Sequence, residues 1–143
     1  MRSRWILTAF ALLVGMAMLA GAQDTNRALE AYQDRFRDAT PEVKLQILET
    51  ADAVPVTELG PLYDQAIQFT LTNSDQLPSD AILQEMALFA TEKLVESGYT
   101  QAVGSLWSLF VEFEDNASRI AVLTALGELG VGNDELVLDL NGW

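Results

Sequence analysis

The chain has 143 residues, half of them hydrophobic, with eight Lys and Arg against 21 Asp and Glu and neither Cys nor His. Those counts exclude disulfides, thiol catalysis and Cys-ligated metals, and they remove the commonest general base and transition-metal ligand. The net charge of −13 also argues against nucleic acid or an anionic membrane surface as a partner, since either would meet a repulsive field.

In chain order, Arg2 and Arg4 precede an uncharged run from Trp5 to Gln23 that closes on Ala20, Gly21 and Ala22. A basic start, an apolar middle and small residues before a cut predict a secretory signal peptide over 1–22. Read instead as an uncleaved anchor, the run is near the lower limit for spanning a bilayer. No Cys follows it, which excludes a lipidated product. The expected mature chain starts at Gln23, is periplasmic or extracellular, leaves the membrane once cut and is held together by packing alone. It keeps six basic residues against 21 acids, a net charge of −15, and from residue 45 onward only Lys93 and Arg119 oppose 16 carboxylates. Such a body suits a basic partner or cation-rich surroundings, and equally a self-repelling surface that keeps a protein soluble.

Spacings of three and four recur throughout the mature chain and no stretch alternates convincingly, so the expected class is all-α. Leu29, Tyr32 and Phe36 share one side of a first helix, with Arg27, Glu30, Asp34 and Arg37 on its other faces. Thr40-Pro41-Glu42 starts a second helix that should fade near Ala53 and Pro55. A third is predicted over Thr57 to Asn73, a fourth over Ser79 to Ser97 ending at Gly98, and a fifth over Thr100 to Glu114. A sixth starts near Asn116, as its cap, and stops at Gly130; Asp134 to Leu140 begins a seventh.

Short connections make neighbouring helices antiparallel, and the hairpins resemble one another. Leu45, Leu48 and Ala51 match Leu83, Met86 and Phe89 at an offset of 38, and these match Ile120, Leu123 and Leu126 at 37. A shift of 40 lays Leu62, Tyr63, Ala66, Ile67 and Phe69 on Ala102, Val103, Leu106, Trp107 and Leu109. Asp115, Arg119 and the run Ala125-Leu126-Gly127-Glu128-Leu129-Gly130 resemble the first helix of a HEAT-type repeat, in which a helix-start Asp and a following Arg precede an A-L-G-x-L-G ending. Lys44 stands where Arg119 does, Ile82 replaces the basic residue in the middle unit, and neither earlier unit keeps the ending. The resemblance covers residues 41 to 143 and implies a short right-handed solenoid of units about 41–77, 78–115 and an incomplete 116–143. It also implies a protein-interaction scaffold with no catalytic residues. The tetratricopeptide repeat has a shorter period and a signature absent here.

In a stacked array the inner helices expose one continuous wall. Gln101, Ser105, Ser108 and Glu112 recur at spacings of four, three and four, and the 40-residue shift carries them onto Pro61, Gln65, Gln68 and Thr72. Gln and Ser donate and accept hydrogen bonds without fixed charge, which suits the main chain of an extended peptide; the same stripes also fit the wet side that any helix needs. Trp107, Phe110 and Phe113 lie on the same helix, and the repeat register assigns Trp107 to the core. The last helix, with Leu136, Val137, Leu138 and Leu140 ahead of Trp143, ends still apolar. Its cover is expected from a continuation of the chain, from self-association or from a partner protein.

Several chemical sites were weighed as well. Asp139-Leu140-Asn141-Gly142 opens like a calcium loop whose other ligands would fall past the last residue, and Glu112, Glu114 and Asp115 could hold a hard cation or simply be solvated. Lys44 and Lys93 fall at predicted exposed positions, against a depressed pKa and Ser–Lys chemistry. Asn116-Ala117-Ser118 matches a glycosylation sequon on a helix cap. The function expected is an exported scaffold without catalysis, cofactor or metal, binding a protein or peptide through Gln65, Gln68, Thr72, Gln101, Ser105, Ser108 and Glu112. The alternative is an acidic calcium-binding structural protein of the cell envelope.

Overall fold

A computed structural model describes residues 24–130. The expected signal segment, the seventh helix and Trp143 lie outside the described residues. Six helices follow in order: α1 (24–38), α2 (Pro41–Glu49), α3 (Gly60–Thr72), α4 (Ala81–Ser97), α5 (Val103–Glu112) and α6 (Asn116–Gly130). Among the described residues there is no strand, and the class is all-α as the spacing predicts.

The helix ends follow local chemistry. Thr40 accepts from the Val43 amide and Pro41 fills the first turn of α2; Asp80 accepts from the amides of Ile82 and Leu83 at the start of α4. Gly98, at φ 66°, closes α4 in the left-handed conformation that costs a side chain most. Some expected boundaries move. α2 stops at Glu49, and Val56–Glu58 is a 3-10 turn before α3; Thr100–Ala102, expected as the start of α5, is also 3-10. The cap of α6 is Asp115, which accepts from the Ser118 amide at 2.9 Å, and Asn116 is the first helical residue instead. The Ser118 amide, and then its hydroxyl, hold the exposed Asp115 carboxyl below its ordinary range.

Packing forms from consecutive pairs. α3 lies along α4 and α5 along α6, while α3 also meets α5, and α4 also meets α2 and α6. α1 joins α3 through the edge-to-face contact of Phe36 and Phe69, whose ring centroids are 6.3 Å apart. The closest pairs therefore straddle the boundaries between the sequence units 41–77, 78–115 and 116–143. Leu83, Met86, Ala87, Ala90 and Leu94 of α4 are all buried, which makes this helix the middle of the core.

The buried faces do not keep the register expected from the sequence. Leu48 and Met86 are buried, at 2 % and 0 % exposure, whereas Ile120 is 63 % and Leu123 41 % exposed. The buried face of α6 runs through Ser118, Val122, Ala125, Leu126 and Leu129, which align with Leu83, Ala87, Ala90, Thr91 and Leu94 at an offset of 35. The caps agree, since Asp80 and Asp115 are 35 apart and Thr40 and Asp80 are 40 apart. Four residues after each cap stands a donor that reaches back to carbonyls of the preceding segment. Lys44 Nζ donates to Arg37 O at 3.2 Å and Ala39 O at 2.6 Å. Gln84 Nε2 donates to Leu77 O at 2.8 Å and Pro78 O at 3.2 Å. Arg119 Nε donates to Phe110 O at 3.4 Å. The middle unit keeps the tether with Gln84; Ile82, the position compared in sequence, is not its equivalent.

Lys44 is thus not at an exposed position: it is 5 % exposed, with its ammonium over the Phe36 and Phe69 rings at 5.2 and 4.6 Å. Burial lowers its pKa, with the Asp38 charge opposing. Its three protons are directed at carbonyls and rings, an arrangement for holding a helix end and not for base chemistry.

At the start of α3 the backbone of Gly60 lies directly against Tyr99, where a Cβ would collide with the ring. Gly60→Ala is expected to cost about 1–3 kcal/mol through overpacking, read as a lower urea midpoint at unchanged slope. In a Tyr99→Ala background the same change is expected to keep part of its cost, because the ring is gone but the Cβ of residue 99 still lies 2.6 Å from the new methyl group.

Candidate partner-binding face

α3 and α5 lie side by side, and the two predicted polar stripes meet between them. Gln68 Nε2 donates to Ser105 Oγ at 2.5 Å. Gln65 and Ser105 are half-buried, while Gln68, Thr72, Gln101, Ser108 and Glu112 are exposed. Gln68 and Ser105 are where the two stripes come together. Away from that point the residues diverge. Gln101 sits in the 3-10 turn before α5 and accepts from the Tyr99 hydroxyl at 2.9 Å. Glu112 ends α5 and lines a separate small groove with Leu77, Gln84 and Glu114. Gln65 turns the other way, donating to Gln33 O of α1 at 3.1 Å.

Part of the stripe is already satisfied within its own helices. The hydroxyls of Thr72 and Ser108 donate to the carbonyls of Gln68 and Gly104 one turn back, as Ser and Thr commonly do inside helices. The unmet capacity is on neighbouring atoms: Asp64 Oδ1 and Gln65 Oε1 are shielded acceptors with no hydrogen-bond partner. Burial pushes the Asp64 carboxyl up, and the polar hydroxyl of Ser105 nearby offsets part of the rise. Sequence reasoning missed Asp64, although it is the single charged residue of α3, and an acid alone in an otherwise neutral helix is the signal that would have found it.

The aromatic residues of α5 divide. Phe113 is buried, while Trp107 and Phe110 are half-buried and stacked on each other at 5.5 Å, with the Arg119 guanidinium 5.1 Å from the Phe110 ring. Among the described residues no three acidic side chains converge on a point where a metal ion could be held. No helix among them is long and apolar enough to cross a membrane. No family model, no curated protein and no solved structure matches this chain.

Proposed function

We propose that this chain is an exported, non-catalytic scaffold, a short HEAT-like right-handed stack of helical hairpins that binds a protein or peptide along the side of α3 and α5. The observation that carries the reading is the union of the two polar stripes at Gln68 and Ser105, beside the exposed side chains of Gln101 and Ser108. An extended peptide supplies the complementary groups, since every residue except proline brings a main-chain donor. The stack is supported by the thrice-repeated cap and tether, at Thr40 and Lys44, Asp80 and Gln84, Asp115 and Arg119. Equivalent joints recurring along a chain are what a linear array of units needs. With neither His nor Cys, and with its buried lysine committed to carbonyls, the chain is assigned no turnover.

A random peptide library displayed on phage and selected on the immobilised chain tests this. Enriched peptides are expected to lose at least about tenfold in affinity, roughly 1.4 kcal/mol, on the double variant Gln68→Arg and Ser108→Arg. Both positions are exposed, so helicity by circular dichroism should not change. Failure to enrich any peptide, or equal binding to the double variant, removes the proposal.

A further inference from the structure

The opposite layer carries a second surface of different chemistry. Between α4 and α6 runs an open groove of about 520 Å³, floored by Leu88, Val95, Ala121 and Ala125 and edged by Glu92, Glu96 and Glu128. Its lining recurs at helical spacing over two turns of each helix, so the groove is on the order of 11 Å long. The two threonines in it make no polar demand, because Thr91 donates to Ala87 O and Thr124 to Ile120 O within their own helices. What remains is an apolar trough with acidic edges. Glu96 is paired with Lys93 at 3.2 Å, while Glu92 and Glu128 have no ion pair among the described residues.

We infer that this groove receives an amphipathic helix of a partner protein whose apolar stripe is flanked by Lys or Arg. Two turns of apolar lining match the anchors that a docked helix presents at i, i+3, i+4 and i+7. The free carboxylates on both walls select the flanking charge and speed the encounter. The chain's own segment 131–143 is a poor occupant, because it carries Asp134, Glu135 and Asp139 and no basic residue, so like charges would face each other across the edge. The site is separate from the α3 and α5 face, and either can fail without the other.

The test uses the full chain and a labelled helical peptide of leucine and lysine, with leucines at i, i+3, i+4 and i+7, read by fluorescence anisotropy. Its controls are a scrambled peptide of the same composition and a version with glutamate in place of lysine. The patterned basic peptide is expected to bind at least about tenfold tighter than either control. Ala121→Arg, an exposed helical position, should fill the trough with a long cation and cut binding by about tenfold or more, while Gln68→Arg leaves it unchanged. Equal binding of the scrambled peptide reduces the effect to net charge and overturns the inference, as does indifference to Ala121→Arg. No binding by the full chain overturns it too, including the case in which residues 131–143 hold the groove themselves.

Discussion

Met86→Ala is expected to lower stability by about 2–5 kcal/mol, and Leu123→Ala by less than about 1 kcal/mol, although the two side chains occupy matching positions in the sequence repeat. Met86 has no exposed surface and lies in α4, which packs against α2, α3 and α6. Removing its side chain leaves a cavity that three neighbouring helices would have to collapse together to fill, and the cost grows with the volume that stays empty. Leu123 is 41 % exposed on the outer side of α6, where truncation withdraws little area from the core. Urea unfolding followed by far-ultraviolet circular dichroism gives both numbers on one scale. Equal losses would restore the register read from the sequence and contradict the buried face through Val122, Ala125, Leu126 and Leu129.

The contrast shows where sequence patterns carry information and where they stop. Helix existence and several ends were legible because their causes are local: Thr40 with Pro41, and Gly98 after Ser97, each act within a turn of chain. The orientation of α6 was not legible. Apolar residues surround it at Ile120, Val122, Leu123, Ala125, Leu126 and Leu129, so more than one stripe fits a 3.6-residue period. Which stripe goes inward depends on how α5 delivers the chain, across three residues at 113–115, whereas α3 reaches α4 across eight at 73–80. A near-constant offset cannot follow connections of such different length. At the candidate face the shift of 40 placed the two stripes on corresponding helices, and the cross-helix bond forms between Gln68 and Ser105, one turn away from the equivalent pair Gln65 and Ser105. Its neighbour Asp64 was legible as a lone acid in α3, but not its burial, which is set by what packs over it.

The tethers were legible only in part: Lys44 and Arg119 match in sequence, but Gln84 does not announce itself, and the acceptors belong to a different segment from their donors. A lysine, a glutamine and an arginine four residues after a cap share no residue type, only reach and a proton to donate. Their common task becomes evident when the chain folds back and brings the carbonyls of the preceding segment to them. The joint in each case fixes one helix start to the segment before it.

Lys44→Ala is expected to remove one such joint at a cost of about 3 kcal/mol. It leaves the Arg37 and Ala39 carbonyls without their side-chain donor, at about 1–3 kcal/mol where no water replaces it, and it opens space beside Phe36 and Phe69 where the stem packed. The loss should fall on α1, seen as faster amide exchange there than in α4. Lys44→Gln, with the donor type that Gln84 uses, should recover part of the stability. The pH dependence separates this joint from simple packing. Unfolded, Lys44 titrates near the ordinary lysine value of 10.5; folded, burial lowers it, with Asp38 opposing. Between those two values the unfolded chain binds more protons, so the Lys44 contribution to stability rises with pH across that window. Lys44→Ala lacks the rise, and its deficit against the natural chain should widen as pH approaches 10.5. Tyr63 acts in the opposite sense, its phenol raised above 10.0 by burial and the Glu96 charge, so its share of stability is lost as pH climbs past 10.0 toward the folded value. Both chains contain Tyr63, and its effect cancels in the difference between them. A deficit that stays flat across this range would mean that Lys44 acts by packing alone.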